Sequence, residues 1–141
     1  MDWSRYQAYE SLILRVGLGF TLLFWGYEKL TVPKLAEAYP KDYGPFMIMD
    51  VNLFLTLAGI IQIILAAMMI VGLFTRLTAA ILFLMALVTI LIPGAIILRD
   101  IPHFAYAFAA AGGALVLLIK GSGPHSIDEG LTKAMRGRSS S

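Results

Sequence analysis

The stretch that decides the fold is residues 51–74, VNLFLTLAGIIQIILAAMMIVGLF, which contains no charged side chain. Residues 77–98, LTAAILFLMALVTILIPGAIIL, follow after only Thr75 and Arg76 and are uncharged as well. A helix needs about 20 mainly apolar residues to cross the hydrocarbon core of a bilayer. Both stretches have that length, and helices joined by so short a connection must run antiparallel. The sequence therefore predicts a transmembrane hairpin that turns at Thr75–Arg76.

Two further apolar stretches flank this hairpin. Residues 11–27 contain one charged side chain, Arg15, and residues 101–119 contain none. Over all 141 residues, 59% are apolar and 14% are charged, whereas soluble domains average about 25% charged residues. We therefore predict an all-α integral membrane protein, a four-helix transmembrane bundle with both termini on one side. Residues 1–141 should form a single membrane domain.

Basic residues set the expected orientation of this bundle. The side with the termini carries Arg5, Arg76, Lys120, Lys133, Arg136 and Arg138, and the other side carries Lys29, Lys34, Lys41 and Arg99. Loops rich in lysine and arginine tend to stay in the cytoplasm. We therefore expect a multi-pass protein of a prokaryotic cell membrane with both termini in the cytoplasm.

The connection over residues 28–50 is longer than the other two and differs from them in composition. It contains three prolines, and Pro33 suits the first turn of a short helix over Lys34–Tyr39. The apolar run Phe46–Met49 is too short to span a membrane and is expected to dip into the interface. Because loops of this length are often functional, we expect this one to act as a lid.

A short helix is also predicted near the C-terminus, at about residues 127–136. Ser126 and Glu129 have the spacing of a capping box, with the serine as N-cap. Ile127, Leu131 and Met135 then recur every four residues and form an apolar stripe flanked by basic residues. This pattern is typical of a helix that lies on an anionic membrane surface.

Small residues predict where the helices pack, because they let helix backbones approach closely within a membrane. Gly19 and Gly26 share a face of the first helix with Arg15 and Lys29. Ala58 and Ala66 flank Gln62 on the second helix, and a third stripe lies on the fourth helix. That stripe contains Ala105, Ala109 and Gly113. We expect these three stripes to form the interior of the bundle.

Five polar residues are candidates for binding a quinone head or an anion: Arg15, Lys29, Gln62, His103 and Tyr106. Arg15 either extends to the nearby headgroups or turns inward to bind an anionic or carbonyl group, since a charge at this depth is costly. Gln62 either forms an interhelical hydrogen bond or contacts a polar ligand, because its amide needs partners in a dry environment. His103 is either structural or a proton donor, as its pKa is ordinarily near neutrality.

No catalytic or metal site is predicted from the sequence. The chain has no cysteine and two histidines, and its net charge of +2 is too small to indicate nucleic acid binding. The apolar segments contain neither paired carboxylates nor metal-ligand spacing. No intrinsic cofactor is expected, and any quinone would bind as an exchangeable molecule.

Three stretches resemble the DoxX/DoxD-like family of small four-helix membrane proteins. Residues 15–29, RVGLGFTLLFWGYEK, are similar to the opening helix of that family, and residues 72–80, GLFTRLTAA, to its turn between helices two and three. Residues 121–128, GSGPHSID, are similar to its closing motif. Family members often carry a glutamate ten residues before the glycine of the turn, where this chain has Gln62. If that glutamate handles a proton in relatives, this protein has lost the step.

The resemblance implies a membrane subunit of an oxidoreductase system. One branch of the family is linked to thiosulfate oxidation with electrons passed to quinone, and another to a complex that couples oxidative-stress and sulfur-handling enzymes. The first hypothesis is thus a redox-complex subunit that anchors other membrane subunits, or a second copy, and borders a quinone site. The second is a purely structural accessory subunit, and the third a small-molecule pathway. Membrane lipids are expected partners in every case.

Overall fold

The computed structural model describes the backbone of residues 4–138 and the side chains of residues 9–102 and 104–136. Within this part the protein is all-α, as predicted. The helices are α1 (Ser4–Thr31), α2 (Leu35–Tyr43), α3 (Val51–Val71), α4 (Thr75–Thr89), α5 (Tyr106–Lys120) and α6 (Ile127–Arg138). Short 3-10 turns lie at Gly44–Phe46 and Ile101–Phe104.

Several helices begin or end at residues other than those predicted, for local reasons. Helix α3 ends at Val71 because Gly72 adopts a left-handed conformation, with φ at 73°, and the N–H of Leu73 bonds back to the carbonyl of Met68 at 2.9 Å. The predicted fourth span begins at residue 101, whereas α5 begins at Tyr106. Pro102 lies in the 3-10 turn that precedes it.

The helix around Pro93 is a π-helix rather than a regular α-helix. Helix α4 continues without a break into a π-helical segment, Ile90–Ile97. Proline has no N–H and its ring crowds the carbonyl four residues earlier. The wider π turn accommodates both effects, and π turns of this kind occur frequently at functional sites.

Two of the described helical stretches are long and apolar enough to cross a membrane, namely Val51–Val71 and the continuous Thr75–Ile97. Helix α5 is apolar but shorter. Large apolar side chains such as Phe24, Ile64 and Leu84 point outward with more than half of their surface exposed. Such an outer surface is suited to acyl chains rather than to water.

Helix α1 packs mainly against α3, and α4 packs mainly against α5. Helices α1 and α3 approach each other closely at Gly26, where an added Cβ would lie 2.8 Å from the carbonyl oxygen of Gly59. A Cβ added at Gly19 would lie even closer to the side chain of Ile70. The core between the helix pairs contains Leu22, Ala66, Leu82 and Ala114.

The buried face of α5 differs from the face that the sequence predicted. Ala105 and Ala109 are exposed, whereas the inward face carries Ala107, Ala110, Ala111, Ala114 and Leu117. Alanines occur on several faces of α5, so small size alone does not identify the packed one. Gly113 lies at the edge of that face, where an added Cβ would be 3.2 Å from the side chain of Leu18.

Candidate functional site

A cavity of about 420 Å³ opens where α1 ends and α3 begins. Helices α1, α3 and α4, the π-helical segment and the start of α5 form its walls, and α2 covers it. Its lining includes Trp25, Glu28, Lys29, Tyr39, Asp42, Tyr43, Phe54, Ala58, Gln62, Met85, Thr89, Pro93, Phe104 and Tyr106. The volume falls within the range of small-molecule sites, about 300–1,000 Å³.

The connection over residues 28–50, which was expected to act as a lid, covers this cavity through helix α2. Tyr39 and Tyr43 lie one turn apart on α2 and stack with ring centroids at 5.2 Å. The ring of Tyr39 also contacts Phe54 of α3 at 5.8 Å. The short helix thus presents an aromatic face to the cavity.

Burial raises the pKa of Tyr39 and of Tyr43 above the usual value of a phenol. For Tyr39, the neighbouring Tyr43 and Glu28 add to that rise. For Tyr43, a hydrogen bond with Thr89 partly opposes it. Both phenols are therefore neutral near pH 7 and can donate a hydrogen bond into the cavity.

Gln62 supplies a buried amide to the wall formed by α3. Its side chain is 3% exposed, and its Oε1 has no hydrogen-bond partner among the described residues. Ala58, one turn earlier, also lines the cavity and leaves space beside the amide. A buried acceptor without a donor costs about 1–3 kcal/mol, so a ligand that satisfies Gln62 would recover that energy.

Lys29 brings a positive charge to the cavity. Its Nζ lies 5.5 Å from the ring centroid of Tyr39 and donates to the carbonyl of Trp25 at 3.4 Å. The carboxylates of Glu28 and Asp42 line the same cavity. The polar lining is therefore mixed in sign, which suits a neutral polar ligand better than a multiply charged anion.

The start of α5 completes the aromatic lining. Tyr106 packs edge-on against Trp25 with centroids at 5.7 Å, and Phe104 lies 6.4 Å from Tyr106. The backbone of His103 belongs to the 3-10 turn just before Tyr106. Its side chain lies outside the described residues, so the predicted role of His103 stays a prediction.

The structure brings Lys29, Gln62 and Tyr106 to one cavity but does not bring Arg15 there. Arg15 lies about 20 Å from Lys29 along α1, at about 1.5 Å per residue. Its guanidinium is fully buried at the other end of the bundle and donates from Nη2 to the carbonyl of His125. Helical periodicity predicts that Arg15 and Lys29 lie on one side of α1. It does not predict that the contacts of these two residues lie at opposite ends of the bundle.

Three distant segments meet around Arg15. The guanidinium lies so close to Gly72 that no Cβ would fit there. The backbone N–H of Asp128 donates to the carbonyl of Gly72 at 3.0 Å, and the charge of Asp128 acts on Arg15. The ring of His125 stacks on Tyr9 at 5.0 Å. The opening helix, the α3–α4 turn and the segment before α6 therefore form one structural cluster.

These contacts join the stretches that carried the family resemblance. A model of the DoxX family matches residues 11–95. The chain belongs to the DoxX family. The matched range runs from α1 through most of the π-helical segment, and includes Arg15, Gln62 and the α3–α4 turn. No curated protein and no solved structure matches the chain significantly.

Membership in the DoxX family indicates a membrane protein of the DoxX type. Several cavity residues were not candidates in the sequence: Trp25, Tyr39, Asp42, Tyr43 and Thr89. A usable signal existed for the tyrosines, because their four-residue spacing places both on one face of a helix. The sequence offers no such signal for Thr89, which reaches the cavity where α4 passes into the π-helix.

Proposed function

We propose that this DoxX protein binds a quinone head in the cavity beneath α2 and serves as the membrane subunit of a redox complex. In this proposal α1, α3, the continuous α4 and π-helical stretch, and α5 are four membrane-spanning helices. Both termini face the cytoplasm of a prokaryotic cell. The cavity then opens toward the opposite side of the membrane.

The observation that carries this proposal is the buried, unpaired Oε1 of Gln62 inside an aromatic cavity. A quinone head is flat, apolar on its faces and polar at its carbonyl groups. Aromatic side chains favour stacked or edge-on contact with such a ring. The amide can accept from the hydroxyl form of the head and donate to its carbonyl form.

The remaining polar groups fit the same ligand. Lys29, Tyr39 and Tyr43 are donors toward a carbonyl oxygen, and Glu28 and Asp42 are acceptors toward a hydroxyl. The described residues include no cluster of metal-ligating side chains. Electrons would be exchanged with a partner subunit that carries a redox cofactor, which supplies the electron-transfer chemistry.

The test of this proposal is quinone binding by the purified protein in mild detergent. In a Trp3→Phe background, Trp25 is the remaining tryptophan of the two in the sequence, so a short-chain quinone should quench its fluorescence saturably. Gln62→Leu should weaken binding about fivefold, the loss of one net hydrogen bond. Thr56→Val is the matched control on α3, because Thr56 is exposed and donates to the carbonyl of Asn52 in its own helix.

Failure of wild-type protein to bind or co-purify with quinone would overturn the proposal. If the wild-type protein then co-purifies with other membrane subunits but without quinone, a structural accessory role in a larger membrane complex becomes the better description. Equal quinone affinities for Gln62→Leu and Thr56→Val would show that Gln62 does not contact the quinone.

A further inference from the structure

A second, wide groove of about 790 Å³ lies at the end of the bundle that contains Arg15. Its walls are the first turn of α4, the segment Lys120–Pro124 and helix α6. It lies at the other end of α4 from the quinone cavity and shares no lining residue with it. The groove is therefore a separate site from the cavity proposed to bind quinone.

The groove lies at the expected level of the lipid headgroups. The apolar stretch Thr75–Ile97 is long enough to span a membrane, and Thr75 is its first residue. Lys120 is the last residue of the apolar helix α5. Residues at such helix ends are in the interfacial region, where lysine and arginine contact headgroups.

Arg76 is the cation that is available in this groove. The groove carboxylate of Asp128 already accepts from the N–H groups of Phe74 and Thr75. Glu129 lies 3.6 Å from Lys133, and Lys120 pairs with Glu10. No ion pair of Arg76 occurs among the described side chains.

The exposed side chain of Arg76 runs beside Gly121. A Cβ added at Gly121 would lie 3.4 Å from Nε of Arg76, and Gly121 has φ at 84°. An exposed guanidinium without an ion-pair partner among the described residues is suited to phosphate oxygens.

The rest of the groove is apolar and exposed. Leu77, Leu131 and Met135 line it, and each has at least half of its surface exposed. An apolar wall that continues into a spanning helix is suited to an acyl chain. We propose that this groove binds one anionic phospholipid, with its phosphate at Arg76 and its chain along Leu77 and the apolar stripe of α6.

The test is native mass spectrometry of the full chain in detergent with phosphatidylglycerol and phosphatidylcholine that carry the same acyl chains. Wild-type protein should retain phosphatidylglycerol in preference to phosphatidylcholine. Arg76→Gln should reduce phosphatidylglycerol affinity about fivefold, the effect of one basic residue at an anionic surface. Arg76→Lys, which keeps the charge, should retain most of the preference.

Arg99→Gln is the matched control, because Arg99 is an exposed arginine just beyond the other end of the same continuous helix. It should bind phosphatidylglycerol as wild type does. Excess inorganic phosphate should not displace the lipid, since the acyl chain contributes to binding. Equal retention of both lipids, equal loss in Arg76→Gln and Arg99→Gln, or displacement by phosphate alone would overturn the proposal, the last of these indicating a free-anion site.

Discussion

The carboxylate of Asp128 accepts a hydrogen bond from the backbone N–H of Thr75 at 2.9 Å, although the two residues are 53 positions apart. Its other oxygen accepts from the N–H of Phe74 at 2.8 Å. Phe74 occupies the N-cap position of α4 in a left-handed conformation and has no capping side chain. Asp128 therefore performs from α6 the function that a local serine or aspartate performs in most helices.

Replacing Asp128 with alanine should destabilise the protein by about 2 kcal/mol, because both a helix cap and the carboxylate near the buried Arg15 are lost. Asp50→Ala is the matched control. Asp50 caps α3 locally, through the N–H groups of Asn52 and Leu53 at 3.0 Å, and its loss should cost about 1 kcal/mol. Unfolding in a detergent titration measures both variants. A larger loss in Asp50→Ala than in Asp128→Ala would contradict the role assigned to the long-range cap.

Two glycines of α1 should respond in opposite ways to alanine. Gly26→Ala should destabilise the protein by about 1–3 kcal/mol, because its Cβ would meet the carbonyl oxygen of Gly59 and force α1 and α3 apart. Gly17 has no atom within 4 Å of an added Cβ, so Gly17→Ala should be neutral or stabilise by up to about 1 kcal/mol. The same detergent titration distinguishes them, and equal effects would show that α1 and α3 do not cross at Gly26.

Alkaline titration should show that Tyr39 and Tyr43 ionise later than an exposed tyrosine. Their pKa values are raised in the folded protein, so the neutral phenols are the favoured form there. This contribution to stability is complete below the unfolded pKa of about 10 and is lost as the pH rises through the folded values. Tyrosinate absorbance measures the effect, with Tyr39→Phe and Tyr43→Phe each removing part of the late phase. Removal of an early phase instead would mean that α2 does not cover the cavity.

Pro93→Ala should weaken quinone binding without loss of stability. Alanine restores a backbone donor and removes the ring, so the π turn is no longer needed and ordinary α-helix becomes possible. The cavity wall near Thr89 and Pro93 would then change shape. Leu91→Ala is the control, because Leu91 lies in the same segment and is exposed. Equal quinone affinity in both variants would show that the π turn does not contribute to quinone binding.

Much of the architecture could be predicted from the sequence because it depends on local patterns. Apolar stretches predicted the main helices, and the pair Ser126 and Glu129 predicted the start of α6. In the structure the N–H of Glu129 donates to Oγ of Ser126 at 3.2 Å, which confirms Ser126 as the N-cap. Each of these features is determined by residues within a few turns of one another.

The long-range relationships could not be predicted in this way. Helical periodicity places Arg15 and Lys29 on one face of α1, yet only the packed structure shows that Arg15 meets His125 while Lys29 meets Tyr39. Similarly, alanine spacing on α5 is compatible with several faces, and Ala105 and Ala109 proved to be exposed. Which face packs depends on the partner helix, and this information is not contained in the spacing of one segment.

The long-range cap also imposes an order on biosynthesis. A ribosome releases Phe74 and Thr75 well before Asp128, at roughly 5–20 residues per second, so α4 is complete for several seconds without its N-terminal cap. During that interval Arg15 also lacks both the carbonyl of His125 and the carboxylate of Asp128. The cytoplasmic end proposed for this bundle therefore closes last, and a nascent chain halted before residue 128 should remain open to proteases and chaperones at that end.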